Sequence, residues 1–198
     1  ELVSPINPGT VLKYLGQIMM GIGIVQAAPA VVAVIFGETS VAAIYGAVAA
    51  AIVLMGYLVN QHLPEAELEL KEGLVLAALI FPLSAVVSAV PIYLSTDMSM
   101  VDSFFECVSG VTTTGLSVAP EEVGPVFLFT RSWLQWIGGI GIVVLVLSVF
   151  IHPGTTAFRI YYANIGDKKV KPSVVAAATL LGKVYIFITL ISIALLWL

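Results

Sequence analysis

Five apolar stretches, each long enough to cross a bilayer, constrain this 198-residue chain more than any other feature. A helix needs ~20 consecutive apolar residues to span ~30 Å of hydrocarbon. The stretches run from about Val11 to Phe36, Val41 to Val59, Gly73 to Leu94 and Val126 to Ile151, and from Pro172 up to Leu198. The composition is 60% hydrophobic and only 10% charged, whereas soluble domains carry about 25% charged residues. One core of this size cannot bury such a surplus, so the remainder must face lipid. The expected fold is therefore an all-α membrane protein. A net charge of −4 offers no basic stripe for nucleic acid. A single cysteine, Cys107, excludes a disulfide framework and any multi-cysteine metal site. The two histidines, His62 and His152, are too far apart in sequence to suggest a metal site. The chain opens on Glu1 and stops inside its fifth apolar run, so both ends read as cuts in a longer chain. Its first apolar stretch is too long for a signal peptide and lacks the usual basic flank.

Between the third and fourth stretches lies a segment of a different kind. Met100 to Val111 has Val101, Phe104, Phe105 and Val108 at helical spacing, yet such a helix would extend less than about 20 Å. A Gly-Thr-Thr-Thr-Gly-rich stretch follows it. A helix that enters, stops and returns as irregular chain is a re-entrant loop, which is tolerated at depth only against protein or a water-filled cavity. The alternative is a surface helix lying in the membrane interface. Cytoplasmic loops are enriched in Lys and Arg, and Lys13, Lys71, Arg159, Lys168, Lys169 and Lys171 all fall on one side of the predicted spans. The other side keeps Arg131 beside Glu38, Asp97, Asp102, Glu106, Glu121 and Glu122. This bias places the N-terminus in the cytosol and the re-entrant segment on the acidic outer face, where cations would concentrate.

The run Ser109-Gly110-Val111-Thr112-Thr113-Thr114-Gly115-Leu116-Ser117 carries the chemistry. Stripping water from K⁺ requires oxygen ligands in its place, and in pores these are mainly backbone carbonyls. Gly115 permits the irregular backbone needed to aim carbonyls at one axis. Threonine hydroxyls can add ligands, and the negative end of the preceding helix favours a cation. A membrane enzyme using a Thr nucleophile would need a base nearby, but both histidines fall near the opposite ends of their helices.

The stretch Phe104-Phe105-Glu106-Cys107-Val108-Ser109-Gly110-Val111-Thr112-Thr113-Thr114-Gly115-Leu116-Ser117 resembles the first pore helix and filter of the Trk/Ktr/HKT superfamily of K⁺-translocating proteins. Arg131-Ser132-Trp133-Leu134-Gln135-Trp136-Ile137-Gly138-Gly139-Ile140-Gly141-Ile142 is similar to the helix after that filter, and Lys71-Glu72-Gly73 to Ala89-Val90-Pro91 to the helix before it. Two leading helices ahead of the first pore unit make the likeness strongest to the TrkH type. The resemblance implies four M1–pore-loop–M2 units in one chain around a single K⁺ path. Residues 1–60 would be a leading two-helix hairpin, 61–72 a cytosolic connector and 73–151 the first unit. Residues 152–171 would then be a cytosolic loop and 172–198 the first helix of the second unit. Filter carbonyls would fall on Thr113, Thr114 and Gly115, flanked by Thr112 and Leu116, with Glu106, Ser109 and Gly110 in support. The implied cargo is K⁺ bound at Thr113, Thr114 and Gly115, with no covalently bound cofactor; Na⁺ or H⁺ stands open as a coupling ion. The implied setting is a multi-pass protein of a prokaryotic plasma membrane, with lipid around it and no nucleic acid. The implied assembly is a homodimer with a cytosolic nucleotide-binding regulator of the TrkA type. A tetrameric cation channel and a non-conducting membrane scaffold are the alternatives, the first disfavoured because Thr-Thr-Thr-Gly-Leu departs from the Thr-Val-Gly-Tyr-Gly pattern.

Several residues keep two readings. Glu106 either holds the filter through backbone N–H groups or faces outer water. Arg131 either pairs with an outer carboxylate such as Glu121 or Glu122, or snorkels to the interface. Gly138, Gly139 and Gly141 serve as a hinge or as close-packing positions. Cys107 reads as a small packing residue. Pro29, Pro82 and Pro91 are expected to kink or end their helices.

Overall fold

The computed structural model describes residues 5–65, 67–150 and 174–197. The inner-loop cations Arg159, Lys168, Lys169 and Lys171, together with His152, lie outside the described residues. All regular structure among the described residues is helical: α1 Pro8–Ile35, α2 Thr39–His62, α3 Leu70–Ser95, α4 Met100–Val111, α5 Pro125–Phe150 and α6 Val174–Trp197. Helices α1, α2 and α3, with the Pro125–Val143 part of α5 and the Thr179–Trp197 part of α6, are long and apolar enough to cross a membrane. The chain is an all-α membrane protein. It divides into two compact units, Glu1–Gly138 and Gly139–Leu198.

In the first unit, α1 starts where its sequence provides a cap. Asn7 Oδ1 accepts from Gly9 N at 3.0 Å and Thr10 N at 3.4 Å, and Pro8 needs no partner at the first helical position. The helix ends in a Schellman turn: Glu38 N donates to Ala33 O at 2.8 Å and Gly37 N to Val34 O at 3.1 Å, with Gly37 at φ +76°. The tight turn sends α2 back along α1. Gly16 and Gly56 face each other closely enough that a Cβ on Gly56 would lie 2.5 Å from Gly16 O. Small residues thus set the separation of the two helices, as they do where lipid offers no hydrophobic drive between them. At the open end of the hairpin Lys13 Nζ donates to Asn60 O at 3.2 Å and Leu63 O at 2.9 Å, taking up carbonyls that the end of α2 leaves unpaired. Lys71 at the start of α3 pairs with Glu69 at 3.0 Å and lies 3.7 Å from Glu72.

The prolines do not end their helices. Pro29 lies inside α1, and Pro82 and Pro91 lie inside α3. Pro29 cannot donate to the carbonyl of Val25 four residues back. That carbonyl instead accepts from Trp133 Nε1 of α5 at 3.0 Å. The freed group has become a tie between helices, and Trp133 is fixed by stacking on Phe129 and Trp136 at 5.9 and 5.3 Å. A second tie joins Thr130 Oγ1 of α5 to Tyr45 OH of α2 at 3.1 Å, beside the apolar cluster of Ala33, Tyr45 and Val126.

Helix α4 packs into the cluster formed by Ala85, Ala89, Ile92, Met98, Cys107, Val111, Phe127 and Leu134. It begins at the end of α3, where Ser99 Oγ accepts from Asp102 N at 3.1 Å, and runs back beside α3 toward Ala85. Its last residue, Val111, meets α5 at Gly138, thirteen residues beyond Pro125, or ~20 Å along that helix. The chain then turns back, since Ala119 and Val123 pack on the same cluster and Gly124 lies next to Glu38 at the α1–α2 turn. A half-length helix that stops partway along its neighbours and returns to the end it came from is a re-entrant loop. It differs from a helix lying in the membrane interface in running back beside α3 as far as Ala85, with Ser103 and Cys107 fully buried.

Candidate functional site

The turn at the foot of α4 closes by the same hydrogen bonds as the end of α1. Thr114 N donates to Ser109 O at 2.9 Å and Thr113 N to Gly110 O at 2.9 Å, again a Schellman arrangement. In α1 the left-handed position is filled by Gly37; here it is filled by Thr113, at φ +58°. A β-branched residue in that region is a conformational outlier that costs of order 1–3 kcal/mol and persists only where its surroundings impose it. Two residues further on, Gly115 has φ +81°. Thr112 has φ −88°, and Thr113 is the only described non-glycine residue at positive φ, so the sign of φ alternates from 112 to 115. In an extended strand successive carbonyls point to opposite sides; alternation in hand brings them toward the same side. Residues 112 to 118 are all exposed.

Side chains hold this backbone from behind. Thr112 Oγ1 donates to Val108 O at 2.7 Å and lies 2.8 Å from Thr114 Oγ1, so two hydroxyls brace the turn. Ser109 Oγ donates to Leu116 O at 2.5 Å. Gly110 is held 3.1 Å from Leu134 Cβ, measured from where a Cβ would stand. Gly138 is tighter still: an added Cβ would lie 2.1 Å from Val111 O. Gly141 has open space around it among the described residues, and Gly139 follows Gly138 on α5.

Glu106 is 1% exposed. One of its oxygens, Oε1, accepts from Ser117 Oγ at 2.7 Å, Val118 N at 2.6 Å and Ala119 N at 3.0 Å. The carboxylate therefore anchors the returning strand with charge-assisted bonds. Its other oxygen, Oε2, lies 3.0 Å from Arg131 Nε, an ion pair whose angle falls outside hydrogen-bond alignment. Of the two readings of Arg131, pairing with an outer carboxylate holds, but the partner is Glu106 and not Glu121 or Glu122, because the guanidinium of α5 points into the loop. Its Nη2 donates to Gly115 O at 2.9 Å and Leu116 O at 3.0 Å. The grip of Arg131 on two carbonyls and the left-handed Thr113 are the two features of this site that the sequence did not reveal. A cation fifteen residues from the carbonyl it grips leaves no local pattern, and a threonine argues against positive φ. Cys107 is fully buried in the apolar cluster behind α4.

Comparison with known proteins places the geometry in a family. The family profile described as "TrkH: Cation transport protein" matches residues 22–198. The chain is 32% identical to an uncharacterized cation transporter of Methanocaldococcus jannaschii over 196 residues, covering 95% of this chain and 40% of that protein. It is 32% identical over 139 residues to the Trk system potassium uptake protein TrkH of Escherichia coli K12, covering 66% of this chain and 29% of that one. The crystal structure of the potassium transporter TrkH from Vibrio parahaemolyticus superposes with a TM-score of 0.75 at 22% identity, over 91% of this chain and 37% of the other. The chain thus spans about two fifths or less of the length of these relatives. On its helices, its half-length re-entrant segment and the match across most of its residues, this chain belongs to the TrkH cation transport protein family.

Proposed function

We propose that the chain supplies one of four pore loops of a K⁺-translocating membrane transporter, with K⁺ coordinated at Thr113, Thr114 and Gly115 and with Thr112 and Leu116 flanking them. One observation carries this reading: an exposed stretch of backbone, 112 to 116, alternates in hand at the foot of a half-length helix. Backbone of that kind offers several carbonyl oxygens to one dehydrated ion, and the negative end of α4 favours a cation beside it. The names of the relatives, potassium uptake proteins among them, point to the same cargo. Glu106, Ser109 and Gly110 serve as the scaffold of the loop. Translocation is by dehydration and coordination, driven by the membrane gradient of K⁺ or coupled to Na⁺ or H⁺.

In this reading the protein sits in a prokaryotic plasma membrane with its N-terminus in the cytosol. It works as a homodimer with a cytosolic nucleotide-binding regulator of the TrkA type, as the sequence resemblance implies. Residues 73–151 are the first pore unit and 172–198 the opening helix of the next.

Replacing Gly115 by valine in the full-length protein tests the assignment. A Cβ there meets only Gln135 Nε2 at 3.6 Å, so crowding is not the obstacle. The obstacle is a β-branched side chain at φ +81°. The expected outcome, in a host lacking its own K⁺ uptake, is loss of K⁺-over-Na⁺ selectivity with membrane insertion retained. Selective uptake by the variant at the wild-type level would refute the reading.

A further inference from the structure

We infer that Arg131 sets the outer limit of ion coordination in this loop, by occupying the carbonyls of Gly115 and Leu116 that an ion would otherwise use. The inference rests on the K⁺-filter reading above and narrows it. A backbone carbonyl has two lone pairs. Leu116 O receives Ser109 Oγ at 2.5 Å and Arg131 Nη2 at 3.0 Å, so both are taken. Gly115 O receives Arg131 Nη2 at 2.9 Å and keeps one. Leu116 therefore drops out of the set of ion ligands, and Gly115 shares its oxygen with a fixed positive charge. The carbonyls upstream of Gly115, from Thr112 to Thr114, receive no such cation among the described residues.

The charge balance explains why a guanidinium is tolerated beside a cation path. Glu106 is 1% exposed and its Oε2 faces Arg131 Nε at 3.0 Å, so the pair is close to neutral from a distance. At the Gly115 and Leu116 carbonyls it is the guanidinium that donates, while the carboxylate accepts from Ser117, Val118 and Ala119 just beyond them. A planar fork is required for this. Arg131 meets the carboxylate with Nε while both protons of Nη2 go to two successive carbonyls, a geometry that a lysine ammonium cannot reproduce. Arg131 is therefore a positioning residue: it acts on the ion through two peptide oxygens whose direction it fixes.

The test uses the full-length transporter in a host deficient in K⁺ uptake, with Arg131→Lys as the main variant and Arg131→Gln as the second. Arg131→Lys keeps the charge opposite Glu106 and loses the fork. The expected result is a wild-type amount of protein in the membrane and K⁺-over-Na⁺ discrimination reduced about tenfold, the scale of one charged hydrogen bond lost, with the change in KM for K⁺ rather than in the maximal rate. Arg131→Gln should lose discrimination further and, by leaving Glu106 unpaired, lower the amount of protein as well. Wild-type KM and discrimination in Arg131→Lys would overturn the inference, as would a fall in maximal rate alone, which is the signature of a merely structural role. If the unmodified protein itself fails to take up K⁺, it is the filter reading that fails, not the assignment of Arg131.

Discussion

Thr113 and Gly37 occupy equivalent places in two turns closed by the same pair of hydrogen bonds, and only one of them is the residue that such a turn prefers. Left-handed backbone costs an L-residue about 1–2 kcal/mol, and glycine returns part of that through a larger entropy loss on folding, about 0.5–1 kcal/mol. Thr113→Gly is therefore expected to raise the thermal stability of the purified full-length protein by up to about 1 kcal/mol while lowering its K⁺ selectivity, because the stiff side chain no longer limits the loop to one conformation. A melting curve and an uptake assay on the same variant check both halves; a drop in stability would show that Thr113 is held by packing rather than strained by its backbone. The two unusual residues of the loop were not equally legible. Gly115 announces its freedom in its own identity. Thr113 is left-handed because Ser109 and Gly110 at the helix end need donors, a demand that becomes visible only once the helix end is located.

Helices were legible because length and apolarity decide them: the predicted segment from Met100 to Val111 and α4 coincide residue for residue, with Ser99 capping its start. What the sequence hid was how helices touch. Pro29, Pro82 and Pro91 look like breaks, but in α1 the carbonyl that Pro29 leaves unpaired recruits Trp133 from 108 residues away, and the helix continues. The same holds for the Gly138-Gly139-Ile140-Gly141 run, whose members read alike in sequence. The foot of α4 sits on Gly138 with no room for a methyl group, since an added Cβ would lie 2.1 Å from the Val111 oxygen, whereas one on Gly141 meets nothing within 4 Å among the described residues. Gly138→Ala must push α4 away from α5, and a cost of about 1–3 kcal/mol is expected from overpacking, together with impaired K⁺ discrimination because α4 carries the loop. Gly141→Ala should stay within about 0.5 kcal/mol of wild type. Thermal melts of the two variants side by side distinguish a contact at one glycine from a hinge spread over the run; equal and large losses at both would favour the hinge.

For the molecule as a whole, direction is what turns a re-entrant loop into a filter with an entrance. In the first unit, Asn7, Lys13, Asn60, Leu63, Lys71 and Glu72 gather at one end through their mutual contacts, and Glu38 lies beside Gly124 at the other. Topology follows Lys and Arg rather than net charge. The acidic residues Glu65, Glu67 and Glu69 near the first end therefore weigh little against Lys13 and Lys71. Arg131 would weigh against the assignment if it faced water, but its charge is drawn into the loop by Glu106, 3.0 Å away. In the proposed reading the end with Lys13 and Lys71 is therefore the cytosolic one. Cys107, the one cysteine of these 198 residues, is fully buried, so a membrane-impermeant maleimide applied to intact cells should leave it unlabelled. A cysteine placed at Glu121, in the exposed return of the loop, should be labelled in intact cells, and one placed at Glu65 only after the membrane is opened. The reverse pattern would put the mouth of the loop in the cytosol. It would then be the acidic residues Asp97, Asp102, Glu121 and Glu122, taken here to concentrate cations at the entrance, that stand at the exit.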